Sequence, residues 1–395
     1  MKTRPLSWRG QRAGVAAALL AALALAGCGS GSDDSSSGDG QTIKLAALSD
    51  LSGPASVIGL SGQNGQKVAV DLINADAAKY LGSADRKLEV KFDDATAAPT
   101  TAVTLTREYV KSDEYVGIAG PLFTAQAQAI GPVVSSAKIP LLVPYTPGSK
   151  ELSKLGDYVF AQSQPDAESG KVGVAALVKA WPDARKVGIL FSDDNPALAA
   201  LKSDIESELK AAGKSVVTAS VPFASTDTAS AISSLESEDV DVVYNTLNTP
   251  AQIAAMVQAT RNNFSPEWFG YTPMFNDAVL AKGGEQAEGA LLTADYDPSI
   301  SNPLVTAFQE AYRAKFDKDP DSWAALGFQS IMTYAAAAAD IDGDVTGAKL
   351  RDALLKVEAP AVVNGGTFSF NADRLNGRPP AVLQISEGKF STWKG

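Results

Sequence analysis

Lys186-Val187-Gly188-Ile189-Leu190-Phe191 is a short, largely apolar run, and Ala197–Ala212 follows it with apolar residues at helical spacing. Ser215–Val221 is a second β-type run. A helical stretch over Thr228–Leu235, a strand over Val240–Tyr244 and a helix over Ala251–Arg261 come next. Strands that are apolar throughout suit a sheet covered on both faces, and each helical stretch is long enough to carry the chain back to a parallel neighbour. The alternation predicts right-handed crossovers and a doubly wound parallel sheet. The fold class is α/β.

The same rhythm runs in both directions from this stretch. Toward the N-terminus the strand candidates are Ile43–Leu48, Leu88–Asp93, Val116–Ala119 and Leu141–Val143. Helices are predicted over Gly62–Asn74, Thr101–Lys111, Thr124–Ala137 and Ala167–Ala180. Toward the C-terminus come a strand over Leu291–Thr293, helices over Asn302–Phe316 and Ser322–Asp340, and short strands at Thr367–Phe370 and Val382–Ser386. Two series of similar length and style predict two doubly wound lobes.

The first residues carry a different message. Lys2, Arg4, Arg9 and Arg12 precede an Ala/Leu stretch from Val15 to Ala26, which ends in Leu25-Ala26-Gly27-Cys28. A basic start, an apolar core and small residues at its end predict a secretory signal over residues 1–27. The apolar run is shorter than the roughly 20 residues that cross a bilayer. The string resembles a bacterial lipobox, which implies an exported protein, acylated on Cys28 and anchored by lipid to the outer face of the cell membrane. An ordinary signal with an incidental cysteine is the alternative. Gly29–Gly40 is almost entirely Gly, Ser and Asp, so residues 28–40 read as an acylated cysteine and a flexible tether with a reach of about 20 Å.

Composition narrows the chemistry. Cys28 is the only cysteine, so no internal disulfide can form, and the body must be held by its core. The roughly 350 residues after the tether suffice for two domains. The leader takes four basic residues and no acidic one, and the remaining 30 basic and 45 acidic residues give a net charge near −15. So acidic a surface argues against nucleic acid and against electrostatic adhesion to anionic lipid. No histidine occurs, which removes Ser-His-Asp and Cys-His catalysis and the usual zinc sites. Gly62-Gln63-Asn64-Gly65-Gln66-Lys67 lacks the spacing of a phosphate loop, and Asp93-Asp94, at a strand end, suits a turn or cap better than a metal. The chain reads as a binding protein and not an enzyme, with no cofactor and no metal.

Several stretches stand in a particular order. Ile43–Leu48 leads into Leu51-Ser52-Gly53-Pro54, a helix carries Asp71-Leu72-Ile73-Asn74, and a strand ends in Phe92-Asp93-Asp94. Gly120-Pro121, Ile139-Pro140-Leu141-Leu142 and Val143-Pro144-Tyr145-Thr146 follow, with Gly366–Phe370, Asp373 and Gln384–Phe390 near the end. Together they resemble the Leu/Ile/Val-binding family of solute-binding proteins over nearly all of Gln41–Gly395. The resemblance implies a type I periplasmic binding fold, with two lobes joined by a three-strand hinge and a ligand closed between them. It implies a monomer that delivers an amino acid, amide or small carboxylate to an ABC permease and ATPase complex, touching the membrane only through its anchor. A sensory receptor of the same fold is the alternative. The lobes would be 41–162 with 294–378, and 163–293 with 379–395, crossing near Ala161–Gln164, Thr293–Asp295 and Arg378–Ala381.

Candidate ligand contacts follow from strand ends and from the resemblance. Thr124 starts a predicted helix, where unpaired N–H groups and the dipole accept an anion; the resemblance places there a hydroxyl that holds the ligand's carboxylate, and a helix cap is the alternative. Ligands favour the carboxyl ends of parallel strands, which places Tyr145 and Thr146 beside it. Ile58, Phe123, Tyr271 and Trp323 are candidate apolar walls or core residues. From the other lobe, loops holding Asn195, Asn248 and Tyr271–Asp277 should face the cleft. Asn248 stands where amino-acid-binding members often carry an aromatic. Thr272 stands, within a residue or two, where they carry the acid that pairs with the ligand's ammonium. That departure leaves a neutral or purely anionic ligand open, unless Asp277 supplies the charge.

Overall fold

The computed structural model describes residues 41–395 apart from 54, 148–149 and 364–365. The expected signal, Cys28 and the tether lie outside the described residues.

Two sheets carry the architecture. The first contains β1 (Thr42–Ser49), β2 (Lys87–Asp94), β3 (Gly117–Ala119), β4 (Leu141–Pro147) and β5 (Val159–Ser163), in the order β2-β1-β3-β4-β5 and parallel throughout. Leu45–Leu48 are fully buried at its centre, as a sheet covered on both faces requires. The second sheet contains β6 (Lys186–Phe191), β7 (Ser215–Ser220), β8 (Val242–Asn245), β9 (Glu267–Gly270) and β10 (Leu291–Ala294), parallel in the order β10-β9-β8-β6-β7. β11 (Glu358–Pro360) and β12 (Thr367–Ser369) form a separate antiparallel pair. β13 (Ala381–Ser386) and β14 (Lys389–Thr392) close the β10 edge of the second sheet in antiparallel fashion. The two strands are joined by a tight hairpin. Glu387 and Gly388, both at positive φ, make the two-residue turn that suits a right-twisted hairpin.

The helix expected from Gly62 begins at Ser56 and runs to Ala75. Gly59, Gly62 and Gly65 recur every third residue, and these glycines mark a packing face, not a break. A Cβ on Gly59 would meet the Asp50 carbonyl oxygen at 1.9 Å, one on Gly62 the Tyr145 hydroxyl at 2.3 Å, and one on Gly65 the Ala324 carbonyl oxygen at 1.9 Å. Helix Ser322–Ala339 answers with Gly327, whose Cβ would lie 2.1 Å from the Gly62 carbonyl oxygen. The two backbones therefore touch. Asp321 fixes the crossing, accepting from the Ala324 N–H at 2.8 Å and the Ser61 hydroxyl at 2.5 Å, so that one carboxylate caps one helix and grips the other.

The chain passes between the sheets after Ser163, returns after Ala294, and passes again between Asn376 and Ala381. These crossings are bonded to each other. Asp295 accepts from the Gln164 N–H at 3.1 Å and the Ser163 hydroxyl at 3.4 Å, and Asn376 donates its amide to the Gln162 carbonyl at 2.7 Å. Gln164 also donates to the Arg378 carbonyl.

Glycine to alanine normally strengthens a helix interior by about 1 kcal/mol. Gly65→Ala should do the reverse here and cost about 1–3 kcal/mol by overpacking against backbone that cannot rotate away. Urea unfolding measures it; an unchanged or raised midpoint would show that the two helices do not touch at Gly65.

Candidate functional site

A cavity of about 190 Å³ opens where the two sheets face each other. Its walls come from the carboxyl ends of strands in both sheets, where ligands of open α/β folds bind. Tyr145 on β4 and Trp323, in the first turn of helix Ser322–Ala339, supply one side. Asn195, Phe223, Tyr271, Thr272 and Pro273 follow β6, β7 and β9 and supply the other. Ser163, Gln164, Asp166 and Ser169 follow β5, and Asp295 follows β10. The volume falls below the roughly 300–1,000 Å³ of drug-sized sites and suits a small metabolite.

The side chains are held before any ligand arrives. Tyr145 is buried, with its hydroxyl against Gly62 and Gly327 and its ring 6.4 Å from that of Trp323 at 54°. The glycine face thus leaves the space in which this wall stands. Across the cavity, Phe223 is fastened through its backbone: its N–H donates to Asp194 at 2.9 Å, and its carbonyl accepts the Asn248 amide at 2.6 Å. Asn195 caps helix Pro196–Ala211 by accepting from the Ala197 and Leu198 N–H groups at 3.1 and 3.3 Å. Thr272 donates to Asp295 at 3.4 Å.

Five of the ten expected contact residues line this cavity: Tyr145, Asn195, Tyr271, Thr272 and Trp323. The other five do not, and each has another engagement or placement. Thr146 is buried and donates its hydroxyl to the Leu122 carbonyl at 2.8 Å. Asn248 caps helix Thr249–Asn262 and holds Phe223. Ile58 packs on the main core from the first turn of its helix. Phe123 is exposed, and Thr124 is half-buried at the start of helix Thr124–Ala137, as expected of the helix but outside the cavity lining. Gln126 is the residue turned inward there, accepting from the Phe123 N–H at 3.0 Å and donating to Asp50 at 2.9 Å. Asp277 begins a helix of its own and is absent from the lining.

The cavity holds two acids that spacing alone did not reveal. Asp295 is buried at a chain crossing, and Asp166 opens helix Asp166–Ala180. The first signal was available: a buried acid at an expected crossing needs a partner or a task. Asp166, two residues beyond the other crossing, lies one residue before the predicted helix and carried no such signal. Burial pushes Asp166 up to about 7, helped by the neighbouring charges of Asp204 and Asp295. Burial likewise pushes Asp295 up to about 6, against the hydrogen bonds from Gln164, Ser163 and Thr272 that favour its charged form. The Tyr271 phenol is pushed up by burial and by Asp166. No lysine or arginine lines the cavity. The cavity is therefore lined by two carboxylates and by no basic side chain.

Among the described residues, no group of three or more His, Cys, Asp or Glu side chains is placed to hold a metal. Asp93 instead accepts the Tyr109 hydroxyl at 2.6 Å, and Asp94 accepts the Leu51 and Thr96 N–H groups, both at 2.9 Å. No helix among them is long and apolar enough to cross a membrane. A larger cavity of about 900 Å³ lies beside helices Pro303–Phe316 and Ser322–Ala339 and the β11–β12 pair. It takes no wall from the second sheet, so filling it would not link the two lobes.

Both raised carboxylates bind protons more tightly in the folded chain than an unfolded Asp does, at about 3.9. The folded state therefore holds more protons between about pH 4 and 7, and its stability falls as pH rises through that window. Asp166→Asn should be more stable than wild type at pH 8, by about 1–3 kcal/mol, with the difference closing by pH 4. Urea midpoints across this range decide it; a pH-independent difference would mean that Asp166 titrates normally.

The sequence matches the family described as "Periplasmic binding protein" over residues 42–389. Leu/Ile/Val-binding protein homolog 7 of Brucella suis biovar 1 (strain 1330) is 23% identical over 403 residues, covering 95% of each chain. Among solved structures, LivJ, the branched-chain amino acid transporter substrate-binding protein of Streptococcus pneumoniae in complex with isoleucine, is 22% identical with a TM-score of 0.76. That match covers 90% of this chain and 100% of that one. A solute-binding protein of an R. palustris ABC transporter, in complex with benzoate, is 20% identical with a TM-score of 0.75 and covers 89% and 95%. The family match spans every crossing and both sheets up to the start of β14, and the chain belongs to the periplasmic binding protein family, with the type I fold of two α/β lobes.

Proposed function

We propose that this protein is the lipid-anchored receptor of an ABC importer, which captures a small organic solute by closing its two lobes. The observation that carries this reading is the cavity between the sheets, lined from both lobes and by the crossings that join them. A solute held there touches both lobes at once, so it binds the closed arrangement better than the open one and shifts the population toward it. The hinge lies at the three crossings, and the lobes are residues 41–162 with 294–378 and residues 163–293 with 379–395. The relatives named above bind isoleucine and benzoate, which supports a small amino acid or related metabolite as cargo. The absence of histidine supports binding over catalysis. Cys28 carries the acyl anchor, residues 29–40 form the tether, and the body acts as a monomer toward the permease and ATPase.

Two measurements test this. Small-angle scattering of the purified protein, with and without a solute selected by thermal shift, should show a smaller radius of gyration when bound; an unchanged radius contradicts hinge closure. Cys28→Ala should be released from membranes or retain its leader, and wild type should carry an acyl mass. A variant that stays on the membrane as wild type does, with no acyl mass on wild type, removes the anchor.

A further inference from the structure

Resting on the solute-binding reading, we propose that the cavity selects a protonated amine, its cation held by Asp166 and Asp295 and its apolar body lying against Tyr145, Trp323, Phe223 and Tyr271. Three observations combine. Both acids line the cavity, and no basic side chain does. Among the described residues no hydrogen-bond donor reaches the Asp166 carboxylate, whereas Asp295 is bonded by Gln164, Ser163 and Thr272. Four aromatic side chains surround the acids, and aromatic faces attract an ammonium group, the more so when water is excluded.

The charges around the pair reinforce the same sign. Asp204, from helix Pro196–Ala211, and Asp295 both raise the Asp166 pKa, and Tyr244 on β8 and Tyr271 face it as neutral phenols. A carboxylate ligand would meet uncompensated negative charge in a partly desolvated space. An ammonium would meet two acceptors and an electrostatic well. With the acids raised to about 7 and about 6, the empty pair carries protons below about pH 6 and is charged by pH 8. An arriving cation displaces them to solvent, while an alkylamine itself stays protonated to about pH 10.

Matched probes test the assignment on the whole mature protein: benzylamine against benzoate, and isoamylamine against isovalerate, by thermal shift and calorimetry. The amine of each pair should bind at least tenfold more tightly than the acid at pH 8. Its affinity should rise about tenfold or more from pH 5 to pH 8, with protons released on binding at about pH 5–6 and the release vanishing by pH 8. Asp166→Asn should weaken the amine ten- to a hundredfold. Asp166 is the better variant because Asp295 also bonds the crossings, and the variant's thermal midpoint shows that it is folded. Acids binding as well as their amine partners, or amine affinity unaffected by Asp166→Asn, overturns the amine assignment and leaves the solute-binding reading standing. If none of the four probes binds, the amine assignment falls. Native mass spectrometry for a co-purified solute then decides the broader reading separately.

Discussion

Asp295 is the group on which the arrangement turns. A buried carboxylate is costly unless it is bonded, and this one is bonded by Gln164 and Ser163 of another crossing and by Thr272 of the second lobe's loops. Even so, burial raises its pKa to about 6, so the bonds offset only part of the cost. An asparagine could accept the same bonds without burying a charge. Retaining an acid here makes physical sense if something positive completes it. Its position also means that whatever completes it sits where the chain crosses between the sheets.

The aromatic side of the cavity rests on a different constraint, close contact between backbones. Gly59, Gly62 and Gly65 let helix Ser56–Ala75 press on the β1 end, on Tyr145 and on Ala324, and Gly327 returns the contact from helix Ser322–Ala339. Interiors are packed as tightly as organic crystals, so such contacts leave little freedom. Tyr145 and Trp323 are therefore placed by the core of the first lobe, whereas Phe223 is placed by backbone bonds to Asp194 and Asn248. One wall is set by packing and the other by polar anchors on loops.

Much of this was legible from the chain. Lys186–Phe191 and Thr124–Ala137 lie where their composition and periodicity put them, because apolar runs and helical spacing report burial directly. The start of helix Ser56–Ala75 was hidden because glycine lowers helix propensity, and only the neighbour's backbone explains it. β5 was missed because Val159-Phe160-Ala161 is short and runs into Gln162 and Ser163, polar residues whose side chains bond the Leu326 carbonyl and Asp295. Tyr145 and Tyr271, both expected near strand ends, line the cavity. Thr146 and Asn248 show the limit of that logic: a polar residue at a strand end can be consumed by capping or loop bonding, and sequence does not show which. Asp166 and Asp295 were overlooked because the acid was sought near position 272, while the fold brings acids in from the crossings.

The central claim is that a solute sits between the lobes with its positive end at Asp166 and Asp295. A crystal structure of the protein grown with benzylamine tests this most directly. The account predicts the amine nitrogen within about 3 Å of a carboxylate oxygen of Asp166 or Asp295, with the ring among the aromatic side chains of the cleft. A benzylamine molecule bound instead in the larger cavity of the first lobe, or lying in the cleft with its nitrogen turned away from both acids, would contradict it.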